Sequence, residues 1–164
     1  MGYQDLLLVL IGVTLMSLLM VNVNDNVVDA REMLQTLEIE HTATAIAQQF
    51  IEEAKSKLFD ANVMIDEDDM PDNFTAYYGL GPNVLEIYPN FGDVDDYHNF
   101  VDTVYVAGVD YRVSITVHYV RDSNPGANYN NETFFKRMRV TVTSTYMPES
   151  IMLSHVFSYY GIKN

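Results

Sequence analysis

Leu6 to Val23 reads LLLVLIGVTLMSLLMVNV, eighteen consecutive residues without a charge. At helical rise they cover about 27 Å, close to the hydrocarbon thickness of a bilayer. Thr14, Ser17 and Asn22 are the only polar residues in the run, too few for the polar stripe of a helix lying on a soluble core. The stretch therefore reads as a membrane-spanning helix, residues 1–24. No Lys or Arg precedes it and no small-x-small site follows it, so it is expected to be retained and not cleaved as a secretory signal. The first basic residue is Arg31, so the positive-inside rule has nothing to count before the helix and argues weakly against a cytoplasmic N-terminus. Either another pathway sets the topology or a basic leader has been removed.

Working outward, Val13 to Met70 contains neither Gly nor Pro, and nothing there demands a helix break. Residues 25–59 turn amphipathic. Val27, Ala30, Leu34, Leu37, Ala43, Ile46, Ala47, Phe50, Ala54 and Leu58 recur at three- and four-residue spacing, against Glu32, Glu38, Glu52, Glu53, Lys55 and Lys57. A single helix from Leu6 to Phe59 would be about 80 Å long, half in lipid and half against a domain. Its weak point is Asn22 to Asn26, whose short polar side chains compete for backbone hydrogen bonds. That segment reads either as a hinge or as a boundary where Asn24 or Asp25 caps a second helix.

Residues 60–164 read as an antiparallel β domain. An acidic connector, Asp60 to Asn73, holds the first proline, Pro71. Tyr111, Val113, Ile115, Val117 and Tyr119 alternate with Arg112, Ser114, Thr116 and His118, a half-buried strand. Thr103 to Ala107 is its hairpin partner through Gly108. Phe135 to Tyr146 and Ile151 to Tyr160 follow, separated by a turn at Met147-Pro148-Glu149-Ser150. Val84 to Tyr88 is a candidate short strand. The expected fold is α+β, a long N-terminal helix on a sheet of about four antiparallel strands, because neither part can bury its apolar face alone.

Composition narrows the function. The net charge of -14, from 23 acidic and 9 basic residues, argues against nucleic acid and against an anionic lipid surface as partners. With no Cys there are neither disulfides nor thiolate metal sites. The 12 Tyr and 8 Phe suit a sheet packed on large flat side chains. No acid, base and nucleophile set can be named, so no enzyme is expected. Ser154 and His155 are strand neighbours with side chains on opposite faces. The four histidines, His41, His98, His118 and His155, lack metal-ligand spacing and read as isolated. Asp66, Asp68 and Asp69, with Asp93, Asp95 and Asp96, offer hard oxygen ligands for calcium, although the spacing fits no EF-hand and solvated loop charge is the preferred reading. Calcium is the sole cofactor the sequence suggests.

This layout resembles the type IV pilin and pseudopilin superfamily, in which a long N-terminal helix is half membrane-embedded and half packed on an antiparallel sheet. The most specific local likeness is the pair of closing strands, Phe135-Lys136-Arg137-Met138-Arg139-Val140-Thr141-Val142-Thr143 and Ile151-Met152-Leu153-Ser154, similar to those of minor pilins. The resemblance implies a structural subunit of a pilus-like or type II secretion-like filament. It would be held in the inner membrane before assembly and then exported as an extracellular filament or a periplasmic pseudopilus. Implied partners are copies of itself or related pilins, a prepilin peptidase and an assembly platform. The apolar residues Leu6, Leu7, Leu10, Ile11, Val13, Leu15, Leu18 and Leu19 would form the filament core. Family members carry Glu at the fifth position of the mature helix, where this chain has Asp5. In the family that acid meets a neighbour's terminal amine and sets register, which here implicates Met1 and Asp5; the competing reading leaves Asp5 in the headgroup layer. The rival function is a membrane-anchored monomer presenting its acidic, Tyr-rich domain to a ligand.

Overall fold

The computed structural model describes residues 2–62 and 71–161. A single helix, α1 (Tyr3–Lys55), is followed by a long connector and four strands: β1 (Val101–Val106), β2 (Val109–Tyr119), β3 (Phe135–Thr143) and β4 (Ile151–Ser158). The chain divides into two compact units, Met1–Ile39 and Glu40–Asn164.

The first unit is helix alone. Neither the hinge nor the cap that Asn22 to Asn26 offers occurs, and the helix runs through. Asn22 Nδ2 donates to the Leu18 carbonyl (3.0 Å) and Asn26 Nδ2 to the Asn22 carbonyl (2.7 Å), so these side chains reinforce the preceding turn instead of competing with it. Thr14 and Ser17 bond backward in the same way. α1 is long and apolar enough to cross a membrane.

The second unit is an antiparallel sheet of order β1-β2-β3-β4 packed against the last four turns of α1. Buried helix positions in this unit are Ala43, Ile46, Ala47, Phe50, Ile51 and Ala54. The expected stripe of Val27, Leu34 and Leu37 is exposed instead. Three of the buried positions are fully covered alanines, which let the helix backbone approach the strands closely. The helix ends at Lys55, short of the expected Phe59, because the Leu58 backbone is taken up elsewhere: its N–H donates to Gly92 O (3.2 Å) and its carbonyl accepts from Val94 N (2.9 Å). Leu58 itself faces solvent.

In the sheet, Tyr111, Val113, Ile115, Val117 and Tyr119 of β2 point into the core, as the alternation predicts. Ala107 and Gly108, both with positive φ (50° and 86°), form the two-residue turn between β1 and β2. β3 and β4 end earlier than expected, at Thr143 and Ser158. The segment Val84 to Tyr88 is not a strand: Glu86 N donates to Asn83 O while Asn83 N donates to Glu86 Oε2, closing a tight turn.

The aromatic residues form two clusters. Phe50 of α1 meets Tyr88 and Phe100, each at 5.8 Å between ring centroids, and Phe91 and Tyr97 extend the group. Phe59, Phe74, Phe134 and Tyr159 make the second cluster. Glu53, expected on the polar face, instead clamps the connector to the helix. It accepts from the hydroxyls of Tyr97 (2.7 Å) and Tyr88 (3.1 Å).

Candidate functional site

Two places concentrate chemistry, one in each unit. In the first, Leu6, Leu7, Leu10, Ile11, Val13, Leu15, Leu18 and Leu19 are between 47% and 66% exposed, so nothing among the described residues covers them. An apolar surface on every side of a helix needs lipid or another protein around it. Asp5 lies in the first turn, where its Oδ2 accepts the Gly2 amide (3.0 Å), a favourable place for a carboxylate at the positive end of a helix. Met1 lies outside the described residues.

The second place is built around Lys136. The period-two phase of β3 puts Lys136 on the same face as Met138, Val140 and Val142, opposite Tyr119 of β2, so a lysine occupies a core position. It is fully buried, as is Asp60. Its three ammonium protons meet three acceptors: Asp60 Oδ2 (2.7 Å), the Phe59 carbonyl (2.8 Å) and Asp95 Oδ1. The rings of Phe59 and Tyr119 close over the cation at 4.7 and 5.3 Å.

Each carboxylate comes from a loop held in place by backbone pairing. The bridge between Leu58 and Asp93 brings the start of the connector against residues 93–96. Asp60 accepts four further hydrogen bonds, from Asn62 N (3.0 Å), Thr75 N (2.9 Å), Thr75 Oγ1 (3.0 Å) and Tyr119 OH (3.2 Å). Burial alone would raise its pKa, but the Lys136 ammonium and these donors outweigh burial and hold the carboxyl below its ordinary range.

Asp93, Asp95 and Asp96 correct the reading of solvated loop charge, since all three are buried. Asp93 Oδ1 accepts from Asp95 N (2.8 Å), and Asp96 Oδ2 accepts from Gly92 N (2.7 Å) and Asp93 N (3.2 Å), so these side chains tie their own loop together. Burial, then the carboxylates of Asp95 and Asp96, push Asp93 up to about 8. Asp66, Asp68 and Asp69 lie outside the described residues. Among the described residues no group of three His, Cys, Asp or Glu is arranged to hold a metal.

Three of the four histidines meet another ring, His155 lying against Phe157 at 4.8 Å. His98 and His118 stack edge-on at 5.0 Å, and His98 Nδ1 accepts the Val117 amide (3.1 Å). Burial lowers both pKa values, and for His118 the positive charges of His98, Arg137 and Arg139 add to it. His98 also borders a polar cleft of about 580 Å³ with Gly81, Asn83, Asp96 and Asn99. Gly81 and Asn99 both hold positive φ there (127° and 62°).

These shifts fix the sign of the pH dependence. A carboxyl raised to about 8 keeps its proton in the folded state, so its contribution is full below the unfolded value of 3.8 and is lost as pH rises through about 8. The depressed histidines act oppositely, contributing fully above their unfolded value of 6.5 and less as pH falls below it. Between about pH 6.5 and 8 the Asp93 slope operates, and Asp96, whose carboxyl burial also raises, acts in the same sense. Thermal melts across that window should show Tm falling with pH in the native chain and falling less steeply in Asp93→Asn; an equal slope in both would contradict the assignment.

Comparison with family models, with curated proteins and with solved structures finds no match to this chain. The sequence reading missed Lys136 as a core residue, although the alternation through Met138, Val140 and Val142 carries the signal.

Proposed function

We propose that the chain is a structural subunit of a type IV pilus-like or type II secretion-like filament, anchored in the inner membrane by α1 before assembly. The observation that carries this reading is the uncovered apolar surface from Leu6 to Val23 on a helix that runs unbroken to Lys55 and packs its last turns on an antiparallel sheet. Such a surface exchanges lipid for neighbouring helices at little cost, because both surroundings are apolar. Head-to-tail contacts of this kind propagate instead of closing. Asp5 sets register by meeting a neighbour's terminal amine, and the sheet domain faces outward. Extracellular filament and periplasmic pseudopilus are both destinations for such a subunit; assembly would engage a prepilin peptidase and a platform in the membrane.

Substituting Asp5→Ala tests the register role. Filament yield should drop at least tenfold while membrane retention stays unchanged, and normal yield would contradict it. A second reading, an anchored monomer that binds a ligand, is favoured by the polar cleft beside Asp96 and His98. It predicts one chain per anchor and no polymer.

A further inference from the structure

The Lys136 node brings a primary amine and two carboxyl groups into contact in a place that water does not reach. Lys136 and Asp60 are completely covered, and the Asp95 side chain is 4% exposed. Holding an ammonium and carboxylates in a low-dielectric pocket is costly, and a neutral product from the same atoms removes that cost. The two acids are not equivalent. Asp60 is locked by four donors besides Lys136, a setting that keeps it an anionic proton acceptor. Asp95 has its Oδ1 on Lys136, and the neighbouring Asp93 carboxyl, which accepts the Asp95 amide, is kept protonated by burial.

We propose that Lys136 and Asp95 are joined by an intramolecular isopeptide bond, formed with loss of water inside the folded domain. Asp60 takes a proton from the Lys136 ammonium and frees the amine lone pair. The Asp93 proton polarises the Asp95 carboxyl. Nζ attacks Cγ of Asp95, a C–N bond forms, and one Cγ–O bond breaks. Two of the three ammonium protons leave with that oxygen as water, relayed by Asp60, and the third stays on the amide. The Asp93 proton returns to its starting place. Ammonium plus carboxylate become amide plus water, so no oxidant, reductant or activating co-reactant is needed. Proximity replaces activation, since the reacting groups are already held in contact. The bond would tie β3 to the connector across 41 residues.

Peptide mapping of the full-length chain in detergent reads this directly. The expected result is a branched tryptic peptide containing Lys136 and Asp95, lighter by about 18 Da than the sum of its two parts, with no cleavage after Lys136. Boiled samples of the native chain should also migrate faster on a denaturing gel than Asp95→Ala. Asp60→Asn keeps both reacting residues and should abolish the branched peptide, with proteolytic resistance reporting that it folds. Recovery of Lys136 and Asp95 only on separate, full-mass peptides from the native chain would overturn the proposal and leave the node an ion triad.

Discussion

Replacing Lys136 with Met lowers the stability of the sheet domain by about 3–5 kcal/mol, the cost typical of breaking a buried charge pair from one side. Methionine fills nearly the same volume, so the loss comes from the node's polar ties and the proposed cross-link, not from packing. Asp60 and Asp95 are left facing each other in a pocket closed by Phe59 and Tyr119, with no cation between them. Against a total of about 5–15 kcal/mol for a domain, such a loss abolishes folding at growth temperature or leaves a protease-sensitive chain. Limited proteolysis and near-ultraviolet circular dichroism check it. Adding Asp95→Asn to Lys136→Met should recover part of the loss, because one of the two uncompensated charges is removed. A single variant as resistant as the native chain would mean that the node does not hold the connector to the sheet.

Ile11→Lys combined with Leu15→Lys transfers the chain from the membrane fraction to the soluble one. Both residues lie near the middle of the apolar run, one helical turn apart, and both are exposed. Each lysine costs about 2.5–3.5 kcal/mol at the centre of a bilayer on insertion scales, and the two together weaken insertion more than a thousandfold. Fractionation followed by an alkaline wash reads the result. The β domain should keep its fold, since its buried helix positions begin at Ala43. Retention of the double variant in washed membranes would show that the helix is not the anchor.

The α+β architecture was legible because the two periodicities are clean. The Gly- and Pro-free run behind Val13 reads as helix, which it is as far as Lys55, and the alternation through Tyr111 to Tyr119 reads as strand with the correct inward face. Three features were not legible, each for a physical reason. The outer stripe at Leu34 and Leu37 has helical spacing, yet spacing cannot say whether a partner is present to cover it. Glu53 looks like a solvent residue until two tyrosine hydroxyls arrive from the connector. The Lys136 node draws Asp60 and Asp95 from positions 76 and 41 residues away, and no local pattern encodes such a meeting. Its one local trace is a lysine in phase with three core residues of β3. The acidic loop at Asp93 to Asp96 misleads for a related reason: short acidic runs are normally solvated, whereas these carboxylates replace backbone partners within a buried turn.

The proposed assembly rests on what surrounds the apolar part of α1, and removing detergent from the purified full-length chain asks that question without any substitution. Electron microscopy of the dialysed sample should show uniform filaments of regular width, with the helices buried against one another. Particles holding one chain each, or reconstitution into added lipid vesicles with no polymer at any protein concentration, would contradict the filament and leave an anchored monomer.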